Sequence, residues 1–141
     1  YKNGYHILLI GHDGHPEIEG TRGQVPENCI TLIQTVKEAK KVRAPRKPLA
    51  WLSQTTLSVD DTAEIVNVLS KRYPNISGPK NGDICYATSN RQTAVKEIAS
   101  KVDLMLIVGS ENSSNSKTVF FVLREAQSKK NHLNLTINAF F

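Results

Sequence analysis

His6-Ile7-Leu8-Leu9-Ile10-Gly11-His12-Asp13-Gly14-His15-Pro16-Glu17-Ile18-Glu19-Gly20 begins as an apolar run and breaks at Gly11 into glycines, acids and imidazoles. A short apolar run closed by glycine is the pattern of a strand buried on both faces of a parallel sheet. The polar residues that follow then stand at the carboxyl end of that strand, where open α/β sheets hold their ligands. Two more runs repeat the arrangement. Leu49-Ala50-Trp51-Leu52 stops at Ser53-Gln54-Thr55-Thr56, and Leu104-Met105-Leu106-Ile107-Val108 stops at Gly109-Ser110-Glu111-Asn112-Ser113-Ser114-Asn115-Ser116. The three together predict an α/β protein that handles a polar ligand.

Between the runs the pattern changes to that of helices. Ile30-Thr31-Leu32-Ile33 is a weaker strand, with a helix expected over 36–42 before Pro45 and Pro48 break the chain. Ser58-Val59-Asp60-Asp61 is a helix start, with a capping hydroxyl and two carboxylates in the first turn. Ala63, Val66, Leu69 and Tyr73 are expected to form its buried stripe, and Pro74 ends it. The Pro- and Gly-rich stretch 75–83 predicts a boundary, with a middle α/β domain over 1–78 and a partial one over 79–141. A helix is expected from about residue 90 to 101, facing the core with Ala94, Val95, Ile98, Ala99 and Val102. The strand Leu104–Val108 comes next, and Val119, Val122, Leu123 and Ala126 mark a further helix. Alternating strands and helices imply parallel-sheet αβα units.

A chain of 141 residues with 39% apolar and 22% charged residues supports a folded core and argues against disorder. No apolar run approaches the ~20 residues of a membrane span, and the first residues do not read as a signal sequence. The expectation is a soluble protein of the bacterial cytoplasm; a plastid form would need a transit peptide upstream. The net charge of +5 favours an anionic partner. Much of the surplus sits in residues 37–47, among them Lys40, Lys41, Arg43, Arg46 and Lys47. That run lacks the aromatic platforms of a nucleic-acid surface and reads as a solvated helix end. Cys29 and Cys85 are too few and too far apart for a disulfide framework or a Cys-x-x-Cys zinc site, so a metal would need ligands from elsewhere.

Chemistry concentrates in three places. Ser113, Ser114, Asn115 and Ser116 lie at a strand-to-helix turn, either seating an anion or simply capping the helix. The turn has neither a P-loop nor a dinucleotide fingerprint. His12, His15, Glu17 and Glu19 fall within eight residues, amid glycines that would let backbone approach a ligand. His15 with Glu17 could relay a proton; a metal site or plain solvation are the alternatives. Thr55 and Thr56 could bond a ligand or their own backbone. Cys85, beside Ile84 and Tyr86, reads by residue type as a buried small hydrophobe, as does Cys29.

Four stretches taken together resemble the 4-hydroxy-3-methylbut-2-enyl diphosphate reductase family. They are Gly11 to Thr21, Gln54-Thr55-Thr56-Leu57-Ser58-Val59-Asp60-Asp61-Thr62, Asp83-Ile84-Cys85-Tyr86-Ala87-Thr88-Ser89-Asn90-Arg91-Gln92, and Gly109 to Ser116. They occur in the family's order and spacing over roughly residues 4–116. The resemblance implies a pseudo-threefold, three-domain α/β enzyme in which each domain gives one cysteine to a central 4Fe-4S cluster. Cys85 matches one of the three. One iron of such a cluster lacks a protein ligand and would bind the substrate hydroxyl as a Lewis acid.

By the same resemblance, the reaction is a reductive dehydroxylation giving isopentenyl and dimethylallyl diphosphate. Electrons would come from ferredoxin or flavodoxin, with no nucleic-acid or membrane partner. Position by position, Glu17 matches the proton-delivering acid, His15 a diphosphate contact and Thr55 the threonine near the substrate hydroxyl. Ser113, Ser114 and Asn115 match diphosphate binders, while Gln54, Thr88 and Asn90 match supporting residues. The chain departs from the family in length, lacking the first domain and two of the three cluster cysteines, and in a divergent tail from about residue 117. The segment alone is therefore expected to be inactive and to hold no stable cluster. The rival reading is a non-catalytic remnant that binds small phosphorylated ligands at the Ser113 turn.

Overall fold

A computed structural model describes residues 1–79, 82–129 and 136–140. The chain divides into two compact units, one of residues 1–55 with 60–84, the other of 56–59 with 85–141.

The first unit is built on a three-stranded parallel sheet, β1 (His6–Ile10), β2 (Ile30–Ile33) and β3 (Leu49–Ser53), in the order β2-β1-β3. Ile7 pairs with Ile30 and Ala50, Ile10 with Ile33 and Ser53. Leu8, Leu9 and Ile10 of the central strand are buried, as the unbroken apolar run requires. The loop expected after β1 instead becomes a helix, α1 (Pro16–Arg22), at its second half. Its start is chemically specified. Pro16 occupies the first helical position, Glu17 and Glu19 lie in the first turn, and His15 caps it by accepting from the Glu17 N–H.

Helix α2 (Val36–Lys41) opens on Thr35, whose side chain accepts from the Glu38 N–H, while the Glu38 carboxylate accepts from the Gln34 N–H. Helix α3 (Val59–Arg72) buries Thr62, Ile65 and Leu69. The expected stripe is thus rotated: Ala63 is exposed and Val66 half-buried, because Thr62 turns inward with Ile65. At its end, Arg72 donates to the Ala39 and Val42 carbonyls and Tyr73 Oη donates to Val42 O, tying α3 to the end of α2.

In the second unit, α4 (Tyr86–Ala99) starts four residues before the expected position, since its first turn is polar and carries no apolar signal. The unit packs Ala99 of α4, Ile107 of β4 (Leu104–Val108) and Leu123 of α5 (Ser114–Lys129) together, with Val95, Met105, Val119 and Phe120 around them. Ala94 and Ile98, expected on the buried face of α4, are exposed. β4 pairs in parallel with β5 (Thr136–Phe140), a strand the sequence reading did not anticipate. β4 is also not buried on both faces: Met105 and Ile107 turn inward while Leu104, Leu106 and Val108 stay exposed. Segment 56–59 is held here by Gln92, which donates to Leu57 O and accepts from the Val59 N–H, and by Thr118, which donates to Thr56 O. Among the described residues no helix is long and apolar enough to cross a membrane.

Candidate active site

Three loops leave the carboxyl ends of the first unit's strands side by side. Gly11 N–H closes onto Ile33 O, and Gln54 N–H onto Ile10 O, so the ladder runs one residue past each strand. Two side-chain amides then grip the loop after β1. Gln54, 1% exposed, accepts from the His12 N–H at 3.1 Å, and Gln34 accepts from the Asp13 N–H at 2.9 Å. Arg22 reaches back from α1 to Asp13 at 3.1 Å, closing the loop from its other side.

Gly11 is needed for packing rather than for ligand approach. A Cβ there would overlap the Ile18 side chain, so the absence of one lets α1 lie directly on the end of β1. That contact sets Glu17, one residue before Ile18, above β3. Its carboxylate accepts from the Thr55 N–H at 3.0 and 3.2 Å and from Thr55 Oγ1 at 3.1 Å. His15 Nδ1 accepts from the Glu17 N–H at 3.2 Å, which in the neutral ring leaves the proton on Nε2. Glu17, His15, Gln54 and Thr55 therefore form one connected group, with Glu17 and Thr55 38 residues apart in sequence.

The remaining candidates lie in the second unit. Thr88 Oγ1 donates to Asn115 Oδ1 at 3.1 Å, which makes the Asn115 NH₂ the end offered to other partners. Ser113 Oγ accepts from the Ser116 N–H at 3.3 Å, so this hydroxyl caps α5. Ser114 is the first residue of that helix and half-buried; Asn90 is exposed on α4.

Cys85 is the cap position of α4 and exposed, contrary to the buried hydrophobe its residue type suggests. Its thiol makes no hydrogen bond to the described residues and stands beside the first amides of a 14-residue helix, a place that suits an anionic ligand atom. Cys29 lies instead before β2, at the opposite end of the sheet from Glu17, and its thiol donates to Asn28. Among the described residues no three His, Cys, Asp or Glu side chains are grouped to hold a metal. The donor set fits one corner of a cluster, at Cys85, and no more.

The family model described as LytB protein matches residues 1–136. The chain belongs to the LytB protein family. Among LytB relatives, the 4-hydroxy-3-methylbut-2-enyl diphosphate reductase of Gluconobacter oxydans is 54% identical over 127 residues, 89% of this chain and 38% of the relative. The reductase 2 of the same name from Rhodopseudomonas palustris is 57% identical over 119 residues, 83% of this chain and 37% of the relative. The solved E-1-hydroxy-2-methyl-but-2-enyl-4-diphosphate reductase from Plasmodium falciparum superposes with a TM-score of 0.84 at 35% identity, covering 98% of this chain and 48% of that one. The chain thus spans less than two fifths of the curated LytB relatives named here.

The sequence reading missed Gln34, Asp13 and Arg22 as loop holders. Gln34 had one legible signal: it follows β2 as Gln54 follows β3, at the same end of a parallel sheet.

Proposed function

We propose that the full-length protein carrying this chain is a reductase of 4-hydroxy-3-methylbut-2-enyl diphosphate. The substrate's C–O bond to its terminal hydroxyl breaks, two electrons and two protons enter, water leaves, and isopentenyl and dimethylallyl diphosphate form. The observation that carries this reading is the Glu17 carboxylate held by both donors of Thr55 at the carboxyl ends of β1 and β3. A carboxyl group fixed by two donors, with a neighbouring imidazole, is suited to deliver a proton at one position.

Glu17 is the proton donor in this reading, and Thr55 orients it and hydrogen-bonds the departing hydroxyl. His15 presents Nε2–H to the diphosphate. Ser113, Ser114 and the Asn115 NH₂ contact the diphosphate at the start of α5, where the helix dipole favours anionic oxygens. Gln54 and Thr88 support these groups from behind, and Asn90 is assigned a supporting part by family position. Cys85 would ligate a 4Fe-4S cluster, with the other cysteines on segments outside this chain. When bound, the cluster supplies the electrons and a Lewis-acidic iron for the hydroxyl. The electron donor is ferredoxin or flavodoxin, and the compartment is the bacterial cytoplasm, in keeping with the bacterial relatives. The phosphate-binding remnant finds less support, because the LytB relatives this chain matches at 54–57% identity are named as reductases.

The test is an anaerobic assay of the full-length protein with the allylic diphosphate and a chemical reductant. Both products should form, and Glu17→Gln should lower turnover by roughly 100-fold or more while leaving KM near its original value. Unchanged turnover in that variant removes Glu17 from the chemistry.

A further inference from the structure

β3 is one of the two edge strands of the first sheet, opposite β2, and its outward-facing backbone groups need partners. In a parallel pair, alternate residues bond to each neighbour, so Gln54 N–H points to β1 and the N–H groups of Trp51 and Ser53 point outward. Ser77 serves the first part of the edge: it accepts from the Trp51 N–H at 2.8 Å and donates to Leu49 O at 2.9 Å. The chain can approach this closely because the next residue is Gly78, where a Cβ would overlap the Trp51 ring. At Ser53 no backbone partner follows. The Asp83 carboxylate takes its place, accepting from the Ser53 N–H at 2.7 Å in a partly buried setting.

Each end of that bond is two residues from a candidate site residue. Ser53 precedes Gln54 and Thr55, and Asp83 precedes Ile84 and Cys85. A charge-assisted bond of this length is about twice as strong as a neutral one, and two residues of chain reach at most about 7 Å. The bond therefore fixes where the chain leaves the sheet edge just before Cys85.

We propose that Asp83 is a positioning residue: its carboxylate, standing in for a fourth strand at Ser53, holds residues 83 and 84 at the edge of β3, directly ahead of Cys85. This rests on the reading of Cys85 as a cluster ligand. Asp83 touches neither substrate nor cluster; it acts through the backbone on either side.

Hydrogen exchange of the full-length, cluster-free protein tests the tether. In Asp83→Ala, amides at 53–55 and 84–88 should exchange roughly 10-fold faster, with β1 unchanged. Asp83→Asn, whose amide oxygen can still accept, should stay close to wild type. If Asp83→Ala does not fold, Ser53→Pro removes the donor from the β3 edge without touching the β1 ladder and should loosen the same two segments. In the cluster-loaded protein, Asp83→Ala should release iron to a chelator roughly 10-fold faster. Wild-type exchange at 84–88, a uniform rise that includes β1, or unchanged iron release would each overturn the proposal. The exchange arm needs neither cluster nor turnover, so an inactive wild type would count against the reductase reading and leave the tether standing.

Discussion

Thr55 directs its backbone N–H and its hydroxyl to one carboxylate, and this pair is the smallest unit from which the chemistry can be argued. Each residue stands out in its own polar cluster, but nothing in the sequence pairs them. Their separation matches no local period, and only the packing of α1 onto β1 brings them together. At the opposite end of β1, His6 is buried and its Nε2 lies 2.8 Å from Thr31 Oγ1. Desolvation holds its pKa below 6.5, Lys47 acts in the same direction, and the Asn28 backbone opposes. The neutral ring is thus favoured in the folded state. Its contribution to stability is fully present above pH 6.5 and is lost as pH falls through the depressed folded value. Urea unfolding from about pH 7.5 down to about pH 5 should show stability declining with acid, and His6→Gln should flatten that decline. An equal slope in the variant would mean that His6 is not the group responsible.

At the scale of elements, α1 determines the site. Gly11→Ala would drive a methyl group into Ile18, forcing α1 off the end of β1, and should cost about 1–3 kcal/mol of unfolding free energy. Because Glu17 adjoins Ile18, the same variant should lose turnover beyond what its remaining folded fraction explains. A stable, fully active variant would show that α1 can shift without consequence.

This is also the element the sequence concealed. The glycines around His12 and His15 suggested a ligand-binding loop, although Pro16, Glu17 and Glu19 are the residues expected of a helix start. β1, β2 and β4 were legible to the residue, because short apolar runs bounded by Gly, Pro or polar clusters have few other readings. The first turn of α4 is illegible, since polar residues there have no hydrophobic period, and the stripe of α3 is turned by one residue because Thr62 packs inward. β5 went unread, although Leu133, Leu135, Ile137 and Ala139 alternate with polar residues through Asn138.

At the scale of the molecule, the family was legible from four motifs in order, and the match over residues 1–136 agrees with it. The resemblance proposes roles by position, whereas the bonds around those residues have no signal in the sequence. Gln34 and Asp83 act through single hydrogen bonds to backbone N–H groups 21 and 30 residues away, and no periodicity encodes such partners. The exposure of Cys85 was likewise beyond composition: an Ile-Cys-Tyr sequence reads as core until α4 is seen to begin immediately after it.

The most direct measurement is the iron and labile-sulfide content of the anaerobically reconstituted full-length protein beside its Cys85→Ser variant. A ligand role for Cys85 predicts a complete cluster in the first and its loss or a marked depletion in the second, with the variant still folded by circular dichroism. A variant retaining a complete, stable cluster would contradict that role.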